Sequence, residues 1–319
     1  MKRIVGSLAA AAMITGAATA GEVSLNLPID VHGGFSAGYK YVKSDNEGFE
    51  VTNFLVELSK DAKDGIGFTA SFGYLPANGA STTGDNFGFQ YGYLTVAPME
   101  GLTLDAGVLP TMVGYEVANT YANPNITIAR IWGGQPVYYG GARATYAVGE
   151  NASVFAEVND DGKDGAWSIG GTGSFGGVDV VASYYDKSNP TEPDIIDLIL
   201  SSSLGGINVA LNFDYQMGEN DDGYGLAFYL TPDLGMISLP IRIEYFDDNG
   251  SGAYTTEDEH HNIVSQKGWD LAITPTLHFN ENGYVRAEVF YYDYDNAEDV
   301  LGTTDDSNTI YRVEFGYSF

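Results

Sequence analysis

The 319-residue chain contains no cysteine, which rules out a disulfide framework and thiolate chemistry and suits a protein that crosses an oxidising compartment unfolded. Basic residues are scarce, 14 Lys and Arg against 43 Asp and Glu, for a net charge of −29. Such a field repels nucleic acid and anionic membrane surfaces, so neither is expected as a partner, and it favours cations. Long hydrophobic runs are missing too. None reaches the roughly 20 residues a spanning helix needs. The apolar residues 4–17 follow Met1-Lys2-Arg3 and lead to the small residues Ala18-Thr19-Ala20. This is the pattern of a secretory signal peptide, with cleavage expected between Ala20 and Gly21, and it is too short and lacks the flanking charges for a retained anchor. Residues 1–20 are therefore expected to be the signal and residues 21–319 a single domain. Without Lys2 and Arg3 the basic residues fall to 12 and the balance to −31.

Gly and Tyr are plentiful, at 41 and 23 residues, with 16 Phe. They recur in segments that alternate apolar and polar, about sixteen of which fit the two-residue period of a strand better than a helical one. The last begins at Thr309 and ends on Phe319: Tyr311, Val313, Phe315, Tyr317 and Phe319 leave one face, and Arg312, Glu314, Gly316 and Ser318 the other. Earlier apolar faces read Phe72-Tyr74, Phe87-Phe89-Tyr91-Tyr93, Tyr138-Ala142-Ala144-Tyr146 and Ile241-Ile243-Tyr245, with the weakest segment around Ile196. Between segments, tight turns such as Gly149-Glu150 and Gly176-Gly177 alternate with longer polar connections, residues 44–49, 75–85, 247–266 and 293–308. Aromatic outer faces, inner faces of Gly, Ser, Thr, Asn, Asp, Glu and Arg, and short turns against long loops predict an all-β fold: a closed, antiparallel transmembrane β-barrel of about sixteen strands. A soluble β-sandwich would put its apolar faces inside, the reverse of this pattern.

Residues 109–137 form the longest connection and the third on the outer side. Unlike the acidic loops, it is apolar-rich, with Leu109-Pro110-Thr111-Met112-Val113 and Ile126-Thr127-Ile128-Ala129-Arg130-Ile131-Trp132. A loop of that length and composition is expected to fold into the barrel and narrow it. Asp105-Ala106-Gly107, Gly114-Tyr115-Glu116, Asn123, Arg130, Pro136 and Tyr138-Tyr139-Gly140-Gly141 lie in and around it. These residues resemble the β-barrel porin-2, or OmpL-like, family, with Ala129 where the family has Ser. The resemblance is good over residues 102–160 and diffuse elsewhere. It implies a bacterial outer-membrane porin, a passive diffusion channel for small hydrophilic solutes and ions, with trimeric association; it names no solute.

Inward positions carry Lys40, Arg143, Arg242, Arg286 and Arg312 against Glu57, Asp105, Glu157, Asp179, Asp214, Glu244, Asp270, Glu288 and Glu314. Glu116, Arg130, Asp105 and Arg143 are the expected constriction and the others the pore wall. Arginine stands two residues before a carboxylate in Arg242/Glu244, Arg286/Glu288 and Arg312/Glu314. Two readings stand: Arg–carboxylate links that stiffen the wall, or a basic stripe facing an acidic wall. Carboxylate rings favour cations under either. Outer loops at residues 159–165, 247–250 and 293–296 carry oxygen ligands that surface calcium or magnesium could use, but none fits the twelve-residue calcium loop, and solvated acidic loops are the plainer reading. No cofactor is expected. Outer-membrane lipid, lipopolysaccharide and the barrel-insertion machinery, which would read Phe319, are the expected partners. Glu257-Asp258-Glu259-His260-His261 is the one His–carboxylate cluster; with no Gly-x-Ser-x-Gly elbow, an enzyme is not expected. A structural or adhesive barrel remains the alternative to a channel.

Overall fold

The protein is described here by a computed structural model covering residues 29–42, 45–75, 87–161, 165–189, 192–257, 263–295 and 306–319. The expected signal peptide, its cleavage site at Ala20 and Gly21, and the His260-His261 pair lie outside the described residues.

Alternating side chains build strands β1 (Asp30–Val42), β2 (Asp45–Lys60), β3 (Ile66–Tyr74), β4 (Phe87–Met99), β5 (Leu102–Pro110), β6 (Tyr138–Ala147), β7 (Ala152–Asn159) and β8 (Ala166–Phe175). They continue through β9 (Val178–Asp186), β10 (Asp194–Leu204), β11 (Ile207–Met217) and β12 (Asp222–Pro232). The thirteenth strand comes in two pieces, Ile237–Ser238 and Ile241–Asp247, as does the fourteenth, Lys267–Ile273 and Thr276–His278. The fifteenth, Gly283–Tyr294, and sixteenth, Ser307–Ser318, complete the set. Both interruptions fall at prolines, Pro240 and Pro275, which lack the N–H a ladder needs. They lie side by side, where Thr274 N–H donates to Pro240 O at 2.8 Å.

Each strand pairs antiparallel with the next, and the sixteenth returns to β1, with Phe35 opposite Tyr317 and Tyr39 opposite Val313. Gly33 and Phe319 exchange both main-chain hydrogen bonds at 2.9 Å, extending that seam to the last residue. The result is a closed 16-strand barrel with no free sheet edge, as hydrocarbon surroundings demand. Among the described residues no helix is long and apolar enough to cross a membrane. Exposed apolar side chains cover the outer face, among them Leu94, Trp167, Ile169, Phe228, Ile243, Val289 and Phe315. A hairpin of Thr255–Glu257 and Ile263–Ser265 stands on the connection after the thirteenth strand.

Three expectations are corrected. Phe87, Phe89, Tyr91 and Tyr93 do not share a face. Ser71 stands opposite Tyr91 and Phe72 opposite Phe89, so Gln90 is a bulge residue. One extra residue reverses every side chain after it. Tyr91 and Tyr93 consequently point inward, Tyr91 donating to Glu57 and stacking on Tyr138 with ring centroids 5.0 Å apart. Tyr138 itself packs on the inner cluster of Leu55, Leu75 and Ala118. Second, residues 45–49 are not loop: β2 begins at Asp45 and pairs with β1 up to Val42, so the first far-end connection is short and the strict alternation of turn lengths breaks there. Third, the inner wall is not uniformly polar. Phe155, Tyr185, Tyr229, Phe246, Phe290, Tyr292 and Tyr294 are buried inside, because the apolar residues of the 111–137 connection must be matched there by apolar partners.

Candidate functional site: a pore loop seated by wall charges

Residues 111–137 leave β5 and return to β6 across a closed neck, where Thr111 N–H donates to Val137 O at 3.0 Å. Between these ends the segment runs inside the barrel. Met112, Val113, Ala118, Ile126, Ala129 and Ile131 are all buried. Ile131 and Ala129 join Tyr229, Phe246, Tyr292 and Tyr294 in one cluster, and Met112 joins Phe155, Val181 and Ile199 in another.

Apart from two short 3-10 turns, Thr120–Ala122 and Arg130–Gly134, the segment has no regular structure, so its buried main chain needs partners from elsewhere. The barrel wall provides them. Glu288 accepts the N–H groups of Ile126 at 2.7 Å and Thr127 at 2.9 Å, and the Thr274 hydroxyl at 2.8 Å. Glu244 accepts those of Arg130 at 2.8 Å and Ile131 at 2.6 Å. Arg286 donates to the carbonyls of Asn123 and Thr120, each at 2.9 Å, while its ion pair with Glu314 closes to 2.6 Å. Asn53 on β2 accepts Thr120 N–H at 2.7 Å. Asn123 holds both polar atoms of Val117, its N–H at 2.9 Å and its carbonyl at 2.7 Å. Each is a hydrogen bond to main chain or a charge-assisted one, the stronger class when buried.

Arg242 is the centre of the arrangement. Fully buried, it meets Glu116 of the loop at 3.1 Å, Asp270 of the wall at 3.3 Å and the Thr127 carbonyl at 2.5 Å, and lies over the Phe290 ring. Glu116 in turn accepts Ala129 N–H at 2.5 Å, tying the two arms of the loop together. Gly114, at φ +92°, makes the turn before Tyr115; a Cβ there would run into the Gln135 amide.

The sequence-predicted residues divide by position. Arg143 is buried, pairing with Glu157 at 2.6 Å and donating to Pro110 O at 2.5 Å, so it steadies the neck. Asp105, opposite Arg143 in register, accepts the Thr95 hydroxyl at 2.6 Å. Arg130 is half-buried and faces the far mouth, donating to Gln266 at 2.9 Å and to Thr255 O at 2.7 Å. Asp214 is buried against Gln135. Glu57, Asp179, Lys40 and Arg312 are half-buried on the inner wall, with Lys40 opposite Arg312 in register. The shorter Arg–carboxylate links form across strands, Arg143 opposite Glu157 and Arg286 opposite Glu314, and among the described residues the two-residue spacing along one strand yields one link, Arg242 to Glu244 at 4.0 Å. Side chains directly opposite on paired strands are closer than those two apart along one strand. Asn53, Asn212, Gln135 and Thr120 are site residues that sequence reading missed, being uncharged and indistinguishable from ordinary inward polar positions. Asp197 is another, although its alternation with Ile196 and Leu198 marks it as inward.

Above the loop, Asp248 organises the far mouth. It accepts the Tyr254 N–H at 2.7 Å and the Ser251 hydroxyl at 2.9 Å. Burial alone would raise its pKa, but these donors outweigh burial and hold it below the usual carboxylate value. A depressed carboxylate stabilises above its unfolded pKa of about 3.9 and loses that contribution as pH falls through its lower folded value. Amide exchange at residues 251–254 is therefore expected to be unchanged from pH 7 to 5 and to accelerate below pH 4, after correction for intrinsic rates. Equal protection at pH 6 and pH 3 would rule this role out.

A closed barrel with an apolar outer belt and a loop drawn into its bore defines a transmembrane channel protein. The chain belongs to a porin family: it matches the family described as "Putative beta-barrel porin-2, OmpL-like" over residues 28–319, and is an outer-membrane porin. No curated protein matches its sequence. Among solved structures it is similar to the trimer form of OmpT from Vibrio cholerae, at 13% identity and TM-score 0.63 over 91% of this chain and 99% of that one. OmpT expressed in the outer membrane of the same organism gives 13% and 0.61 over 91% and 97%. A triple mutant of the Rhodopseudomonas blastica porin gives 14% and 0.61 over 91% and 100%. At such identities the likeness speaks for the fold.

Proposed function

We propose that this porin passes small hydrophilic solutes by passive diffusion, prefers cations, and has no catalytic activity. The observation that carries the preference is the state of the interior charges. Arg143, Arg242 and Arg286 are each met by a buried carboxylate, and the half-buried Glu57 and Asp179 are matched in number by Lys40 and Arg312, so the further buried carboxylates Asp105, Glu244, Asp270 and Glu288 leave the interior acidic. The acidic residues of the far-end connections add to the same field, which enriches cations at the mouth. Across a potassium chloride gradient in a planar bilayer, the reversal potential is expected on the cation-selective side; a chloride-selective value would refute the preference. Stepwise single-channel openings separate this reading from a structural or adhesive barrel, which would be silent. Export by the N-terminal signal, recognition of Phe319 by the insertion machinery, contacts with lipid and lipopolysaccharide, and association into trimers, the form in which one Vibrio cholerae OmpT structure is described, belong to the same proposal. So does the absence of any bound cofactor in transport, divalent ions at the acidic loops serving at most to bridge lipopolysaccharide.

A further inference from the structure

Across β8 to β12 one row of inward positions reads Gly170, Ser183, Asp197, Asp214 and Gly225, each opposite the next in the strand register. Asp197 and Asp214 are both fully buried. The two carboxyls lie within hydrogen-bond reach of each other and share one amide donor: Asn212 Nδ2 donates to Asp197 Oδ1 at 2.6 Å and to Asp214 Oδ1 at 3.1 Å. Gln135 of the pore loop donates to Asp214 Oδ2 at 2.7 Å. Among the described residues no ion pair includes either carboxylate, unlike Glu116, Glu157, Asp270 and Glu314, each of which meets an arginine. Two buried carboxylates side by side without a countercharge are strongly unfavourable when both are ionised.

The neighbouring position makes this more than an acidic pair. Ser183, 6% exposed and directly opposite Asp197, has a buried hydroxyl with no hydrogen-bond partner, and Asp197 Oδ2 is a second buried oxygen with none. Unsatisfied buried oxygens on adjacent strands, beside a further carboxylate, are what remains when the group that joins them is a cation. Hard oxygen ligands of this type suit calcium-like ions, and two carboxylates balance a double charge. We propose that Ser183, Asp197 and Asp214 form a buried divalent-cation site of the calcium class inside the barrel wall. Waters complete the coordination. The site lies beneath the pore loop, because Asn212 also accepts the Tyr115 N–H at 3.1 Å and the Gln135 amide at 3.2 Å. An ion there braces the first arm of the loop and its return against β10 and β11. The inference does not depend on which ions the channel conducts.

The test uses the full chain, folded in detergent at pH 8, titrated with calcium chloride after treatment with a chelator. One calcium per chain is expected by calorimetry, with a higher melting temperature in calcium than in chelator. D197N and D214N are expected to abolish both effects, S183A to weaken binding about tenfold, and D221N, on an outer connection, to leave both unchanged. Ser183→Ala keeps both carboxylates and serves if the Asp variants do not fold. Calcium binding equal in the parent, D197N and S183A would place the ion on the surface loops and overturn the site. No calcium binding by the parent, with D197N at least as stable, would mean that the pair shares a proton, and would overturn it equally.

Discussion

Removing residues 112–136 and joining Thr111 to Val137 through a short glycine link is expected to raise single-channel conductance several-fold while the barrel still assembles. The junction is geometrically ready, since Thr111 N–H already meets Val137 O at 3.0 Å, and no strand is interrupted. A barrel of this strand number encloses an aqueous lumen when nothing fills it. Here the space is occupied by the cluster of Ala129, Ile131, Tyr229, Phe246, Tyr292 and Tyr294 and by the charges around Arg242. Shortening the loop also strips Glu244 and Glu288 of the main-chain donors they accept. They become free carboxylates in water, so cation selectivity is expected to rise with conductance. Unchanged conductance in planar bilayers would refute the assignment of this segment as the pore loop.

The second large effect is expected from Arg242→Ala. Arg242 is the only cation that contacts Glu116, Glu244 and Asp270 among the described residues, at 3.1, 4.0 and 3.3 Å. Taking it away leaves three buried carboxylates facing one another, a change that typically costs about 3–5 kcal/mol. The loop is expected to detach before the barrel opens, because Thr127 loses a donor to its carbonyl at the same time. The readout is a lowered denaturation temperature together with frequent flickering between conductance levels. Glu116→Gln keeps a hydrogen-bonding group and removes one negative charge, so its effect should be milder. An Arg242→Ala channel as stable and as quiet as the parent would show that these charges do not hold the loop.

Much of the barrel is legible in the sequence because a strand's side chains change face at every residue, so an apolar–polar alternation marks both a strand and its lipid side. The terminal strand, from Tyr311 to Phe319, reads correctly to the last residue. What alternation does not carry is the residue count across a pairing. The bulge at Gln90 depends on how β3 and β4 align, and nothing in Phe87 to Tyr93 itself reveals it. Similarly, the seat of the loop is only half legible. The length and apolar content of residues 109–137 indicate that it folds inward, and Glu116 and Arg242 stand out as inward charges. That those two meet each other is a three-dimensional fact, as is the preference of Arg286 for Glu314 over Glu288. The aromatic residues inside the wall were hidden for a related reason: Phe246 and Tyr292 look out of place in a water-filled tube, and fit only once the loop that covers them is in position.

The partners that seat the loop lie far along the chain. Ile126 bonds to Glu288 across 162 residues, Thr120 to Glu314 across 194 and Ile131 to Glu244 across 113. Contacts of such separation form late, since the intervening chain must first be ordered. The loop therefore cannot settle while the polypeptide is still emerging into the membrane; it must wait for the last strands to arrive and for the sixteenth to join β1. Order of assembly is thus written into the wall charges, and the barrel passes through a stage when it is closed but unobstructed before its own third loop narrows it.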